Sequence, residues 1–124
     1  MNGYSVKIAE ASKELSAKEK VMLKDTSDAI KLDSATTDGG IVINPIAYVV
    51  LDIHNEKADD KDYSQYVIIG NDGTKYVTGS ESFWNAFMDI YTELANCDEA
   101  WGIKVYRLPS NNFKGKEFLT CSVI

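Results

Sequence analysis

The chain has 124 residues, 44% hydrophobic and 26% charged, with 13 Lys and Arg against 19 Asp and Glu and a formal net charge of −6. That length predicts one core, and the composition is too apolar for a disordered polymer. The negative balance excludes a protein that simply coats duplex DNA through a basic surface, and no stretch approaches the roughly 20 apolar residues of a membrane helix.

The amino terminus shows no basic start followed by an apolar run, so the chain is expected in the cytoplasm, without membrane partners and with Cys97 and Cys121 as free thiols. The charge is uneven. Residues 104–124 carry Lys104, Arg107, Lys114 and Lys116 against Glu117, a balance of +3 that leaves −9 on the rest. An acidic body with a basic end suggests separate uses for the two regions.

The first forty residues are rich in Lys, Glu, Ser and Asp and read as an amino-terminal appendage. Within them Ser16-Ala17-Lys18-Glu19 fits a capping box and predicts a short helix over about Ala17 to Lys24. Asp28 to Asp33 alternates polar and apolar residues, as a short strand does, and Gly39-Gly40 marks the expected boundary with a domain over 41–124.

Ile41 to Ile53 is rich in β-branched residues and predicts the first long strand. His54 to Asp62 is polar throughout and predicts an exposed loop. Tyr66 to Ile69 and Lys75 to Thr78 flank Gly70-Asn71-Asp72-Gly73, the signature of a hairpin. Thr78-Gly79-Ser80-Glu81 then opens a helix whose Phe83, Phe87, Ile90 and Leu94 recur at three- and four-residue spacing, widened by Trp84, Met88 and Tyr91. Helical spacing accounts for these aromatic residues as core rather than as a cofactor pocket. Two strands, Gly102 to Leu108 and Phe118 to Ile124, complete the chain. The order predicts a mainly β fold, a five-stranded Greek-key barrel of the OB type with one helix between its third and fourth strands.

Two features point to binding. Between Lys104 and Phe118, cations are interleaved with Tyr106, Phe113 and Phe118, and this mixture can neutralise phosphates and stack on any base. If Val49, Leu51, Ile53, Val67, Ile69, Val77, Ile103 and Val105 point inward, strand alternation places Tyr48, Tyr66, Tyr76, Lys104 and Tyr106 outside. Four outward tyrosines fit a stacking platform, a surface covered by the amino-terminal segment, or contact with a second subunit of a homo-oligomer.

Catalysis has little support. The single histidine, His54, lies beside Asp52 and Glu56, where an exposed loop histidine is the commoner arrangement. Asp59-Asp60-Lys61-Asp62 lacks the Gly and terminal Glu of a calcium loop, and no phosphate-binding Gly-rich loop, serine elbow or metal-ligand set is present. The expectation is a non-enzymatic chain without cofactor or metal.

Tyr76-Val77-Thr78-Gly79-Ser80-Glu81-Ser82-Phe83-Trp84, with the later run from Pro109 to Cys121, resembles the small single-stranded DNA-binding proteins encoded by tailed phages and prophages of Gram-positive bacteria, over roughly residues 45–124. The resemblance implies an OB-type barrel that coats single strands during phage or mobile-element DNA replication, alongside replication proteins. Its aromatic and basic positions would be Tyr66, Tyr76, Lys104, Tyr106, Arg107, Phe113, Lys114 and Lys116. Many cellular relatives end in a long acidic tail, whereas this sequence ends on the strand-like Thr120-Cys121-Ser122-Val123-Ile124, so tail-mediated recruitment is not expected to carry over. The alternative is a protein-interaction or inhibitor module of a mobile element that presents its acidic surface to a basic partner.

Overall fold

Apolar residues at every second position make half-buried strands, and strands outnumber helices among the described residues of this chain. The computed structural model describes residues 4–37, 39–57, 61–109 and 117–124. In chain order the elements are β1 (Tyr4–Ala11), α1 (Ala17–Lys24), β2 (Ile30–Lys31), α2 (Leu32–Ala35), β3 (Ile41–Ile43), β4 (Pro45–Asn55), β5 (Asp62–Gly70), β6 (Lys75–Thr78), α3 (Glu81–Leu94), β7 (Ile103–Pro109) and β8 (Glu117–Val123). The protein is mainly β. Two compact units emerge, one from the chain up to Ile30 with Ile46–Gly79, the other from Lys31–Pro45 with Ser80–Ile124. No helix among the described residues is long and apolar enough to cross a membrane.

The first unit holds a sheet of order β1-β4-β5-β6-β2. One face of it carries the buried Val49, Leu51, Ile53, Val67 and Val77, with Leu23 of α1 among them and Val6, Ile8 and Ile69 packed alongside. The antiparallel ladder of β1 on β4 sets Ile8 opposite Leu51 and then shifts, so that Glu10 lies opposite Val50 and Ala11 opposite Val49. Without that bulge at Ala9, strict alternation would turn the Glu10 carboxylate onto the apolar face. The extra residue keeps a charge out of the core.

The capping box forms as the sequence predicts: Ser16 Oγ accepts from the Glu19 amide at 3.2 Å, and Glu19 Oε1 accepts from the Ser16 amide at 3.1 Å. Only Leu23 of α1 is buried, too little apolar area to hold a helix of eight residues in place. Lys75 supplies what is missing. Its ammonium donates to the carbonyls of Met22 at 3.0 Å and Asp25 at 2.8 Å and pairs with Asp28 Oδ1 at 2.7 Å, its side chain 14% exposed. The last turn of a helix has carbonyls without intrahelical donors and a negative dipole end, and an ammonium satisfies both. The β5–β6 turn is closed by Gly70 N to Thr74 O at 2.9 Å and passes through Gly73 at φ +87°, a conformation that favours glycine.

The second unit holds a sheet of order β3-β7-β8 with α3 against it. Ser80 caps α3 by accepting from the Phe83 amide at 3.2 Å, and Ser82 Oγ donates to the Leu119 carbonyl of β8 at 2.8 Å. Phe83, Trp84 and Phe87 are buried, with ring centroids 6.0 Å apart for Phe83 and Phe87 and 5.2 Å for Trp84 and Phe87. Ile43, Ile103, Val105, Leu119 and Cys121 are also buried. Burial pushes the Cys121 thiol up to about 12, so it is protonated and inert at neutral pH.

The architecture departs from a five-stranded barrel. The described residues form eight strands in two open sheets. The expected strand over Ile41 to Ile53 is two strands. Pro45 has no amide hydrogen to continue a ladder, and the chain leaves β7 after Ile43 and enters the other sheet as β4. The first forty residues supply β1, α1, β2 and α2, so the pair Gly39-Gly40 does not divide the two units.

Replacing Lys75 by Met keeps the stem and removes the three interactions of the ammonium. Hydrogen bonds to charged groups contribute about 1.5–3 kcal/mol each where shielded, and part of that is lost to solvent here. Lys75→Met is expected to lower unfolding stability in urea by about 1–3 kcal/mol and to raise amide exchange across residues 17–24.

Candidate nucleic-acid interface

Alternation along β7 sorts its side chains between two faces. Ile103 and Val105 are fully buried, while Lys104 is exposed and Tyr106 half-buried on the other side. The register sets Ser122 opposite Lys104, Thr120 opposite Tyr106 and Phe118 opposite Leu108, with Val42 of β3 on the other flank of Lys104. Lys104, Tyr106, Leu108, Phe118 and Val42 therefore share one face of a three-stranded sheet, with Phe118 38% and Val42 54% exposed. The Tyr106 hydroxyl and Ser122 Oγ lie 2.6 Å apart, which fixes the ring over the neighbouring strand.

Gly40 positions the cation. A Cβ built there would lie 2.7 Å from Lys104 Cε and 3.0 Å from the Val105 carbonyl, so the lysine stem crosses the chain at a residue without a side chain. A ring held at its hydroxyl and an ammonium held along its stem form a preorganised pair. Such a face can stack on a flat aromatic ligand and neutralise an anion beside it.

Several predicted positions behave otherwise. Tyr48 is buried, 7% exposed, in a stretch of β4 where every residue from Ala47 to Leu51 is buried, and its ring is tied down. Its hydroxyl donates to Glu10 Oε1 at 3.2 Å and its amide to Ser12 Oγ at 2.9 Å. Arg107 shares the β7 face of Val105 rather than that of Lys104. Its Nε donates to Thr36 Oγ1 at 3.1 Å, and Thr36 in turn donates to the Leu32 carbonyl at 2.8 Å, so the guanidinium is committed to the core edge. Tyr66 and Tyr76 share one face of the β5–β6 hairpin, opposite Thr78 and Ile68 respectively, and both are half-buried. Phe113, Lys114 and Lys116 lie outside the described residues. Ile69 packs against the core as expected, half-buried, and Ile68 on the opposite face is fully buried, so both faces of β5 carry buried side chains. The sequence offered the alternation of β7 but not Val42 or Leu108, because neither apolar residue looks like a ligand contact until the register aligns it with Lys104 and Phe118.

His54 sits in a second concavity, a pocket of about 450 Å³ lined also by Ser5, Lys7, Asp52, Asp62 and Ser64. Its Nδ1 is 2.7 Å from Asp62 Oδ1 and its Nε2 2.6 Å from Glu56 Oε1, and Lys61 Nζ reaches Glu56 Oε2 at 3.1 Å. Asp52, its neighbour in sequence, instead accepts from Ser64 Oγ at 3.4 Å. Hydrogen bonds to Asp62 and then Glu56 raise the histidine above its ordinary value of 6.5, and the His54 and Lys61 contacts lower Glu56. An imidazole between two carboxylates favours the doubly protonated ring, which has no lone pair with which to act as a base. Among the described residues no group of three or more His, Cys, Asp or Glu could hold a metal ion.

Comparison with known proteins returns no match: no family model, no curated protein and no solved structure matches the chain. The site's own chemistry has to carry the functional reading.

A histidine raised by its partners stabilises the fold fully below about 6.5, and this contribution is lost as pH rises through the folded value. Proton NMR titration of the single histidine is expected to give a midpoint above 6.5, and the stability difference between wild type and His54→Gln to shrink toward alkaline pH. A midpoint at or below 6.5 would show that the ring does not sit between the carboxylates in solution.

Proposed function

We propose that this protein binds single-stranded DNA with little sequence preference and acts by binding rather than by catalysis. The observation that supports it is the outer face of the β3-β7-β8 sheet, which carries the exposed Lys104 and Phe118 and the half-buried Tyr106. Stacking suits this purpose because every base has a π-face, and the lysine adds phosphate neutralisation without reading sequence. The resemblance of Tyr76 to Trp84 and of the segment after Pro109 extends this reading to DNA replication of a phage or mobile element, in the cytoplasm. The face needs no closed barrel, since a helix-backed sheet of three strands already presents one solvent side.

The net charge of −6 favours a second reading, a module that docks a basic protein partner through its carboxylates. One titration separates the two. Tyrosine fluorescence, followed during addition of oligothymidine at two salt concentrations, is expected to be quenched, more strongly at low salt. Tyr106→Ala and Phe118→Ala are each expected to weaken binding by about 1–3 kcal/mol, the range for one lost stacked base. Wild-type affinity in both variants would remove the sheet face from the site, and a folded wild type that ignores the oligonucleotide at low salt would favour the protein partner.

A further inference from the structure

A cationic concavity is unexpected in a chain with net charge −6, yet the first unit has one. Lys7 of β1, Lys13 just after it, and Lys20 and Lys24 of α1 line a groove of about 460 Å³, with Ala9 and Leu15 among its apolar lining. Lys20 and Lys24 are four residues apart and so project from the same side of α1. Among the described residues, Lys13 pairs with Glu19 at 3.5 Å in an exposed contact, Lys7 lies opposite Asp52 across the β1–β4 ladder without forming an ion pair, and Lys20 and Lys24 have no carboxylate partner. The one carboxylate in the lining, Glu10, accepts from the Tyr48 hydroxyl.

We propose that this groove is a phosphate-binding site that takes the sugar–phosphate backbone of a single strand. Lysines on an open edge strand also discourage edge-to-edge pairing, and that accounts for Lys7. It does not call for two lysines of a helix to face the same groove. Lys20 and Lys24, one turn apart on the same side of the helix and without an ion pair, repel each other, and a bound polyanion relieves that repulsion. The size of the groove favours a linear anion. A folded acidic partner needs a contact of at least about 1,000 Å² in total, whereas a concavity of this volume fits a few linked phosphates. Ammonium groups on flexible stems suit phosphate oxygens as point charges and impose no fixed planar geometry, which fits a strand of any sequence.

The identity of the polymer rests on the single-strand reading, and the phosphate chemistry does not. Two measurements on the full chain keep them apart. First, oligothymidine affinity is measured against salt for the wild type, Lys20→Gln/Lys24→Gln and Tyr106→Ala. Each phosphate contact on a single strand contributes about 0.7 to the slope of log affinity on log salt. The double variant is expected to flatten the slope by about 1.4, and Tyr106→Ala to weaken binding with the slope unchanged. Second, inorganic tripolyphosphate is titrated while backbone amides are followed by NMR, with shifts expected at residues 7–24 in the wild type and absent in the double variant. Tripolyphosphate shifts without oligothymidine binding would support the phosphate site and overturn the strand as its source. An unchanged slope together with no shifts at 7–24 would overturn the groove altogether. Tighter binding of polyglutamate than of tripolyphosphate at the same residues would overturn it in favour of an acidic protein.

Discussion

The ammonium of Lys75 stands between the sheet of the first unit and everything that α1 contributes. A helix that buries one leucine has no packing reason to stay where it is, and a short helix in water is marginal by itself. The three acceptors around Lys75 Nζ, two of them carbonyls at the end of α1, fix the helix at its carboxyl end, while the Ser16 capping box organises the other. The position of Lys20 and Lys24 follows from that anchorage rather than from a hydrophobic stripe. The same lysine sits on the turnward end of β6, opposite Ile69, so the hairpin turn closed by Gly70 and Thr74 is mechanically part of the cationic groove's support.

What the sequence made legible follows local chemistry. The capping box at Ser16 and the hairpin at Gly70 to Gly73 are written in residues close together in sequence and lie where the pattern puts them, whereas α3 is capped by Ser80 on the Phe83 amide rather than by a box from Thr78 to Glu81. The apolar face of α3 was equally plain. The failures are non-local. β1 was hidden because its bulge at Ala9 interrupts the alternation after Ile8, and because its strand partner is some forty residues away. The division at Pro45 was hidden because β-branched residues continue on both sides of it, so propensity alone reads one strand where pairing makes two.

The candidate site shows the same limit. Alternation distinguishes one side of a strand from the other, but it says which side is wet only when a single face is buried. β4 buries both faces over Ala47 to Leu51, and Tyr48 is lost to solvent for that reason. On β7 the rule holds from Ile103 to Tyr106, and Lys104 and Tyr106 stand where alternation places them. Arg107 then falls on the buried side, where Thr36 gives its guanidinium a partner that no sequence distance of 71 residues would suggest.

Charge is the property that sequence averages describe least well. Between residues 7 and 24 five lysines and three glutamates alternate, and read along the chain they nearly cancel. Folding sorts them: Glu10 turns to Tyr48, Glu19 turns back to the Ser16 amide and Lys13, and four lysines are left around one groove. The distinction matters for a polyanion approaching an acidic protein. Repulsion from the body of the chain acts at long range and is screened beyond a Debye length of about 10 Å at 0.1 M salt, whereas contacts inside a concavity act at a few ångströms and are screened less. Net charge therefore governs how often a polyanion arrives, and the local arrangement of lysines governs whether one can be held. A polyanion is held best where cations are gathered, and among the described residues the β1–α1 groove gathers four lysines, whereas the outer sheet face offers the single Lys104 beside Tyr106 and Phe118.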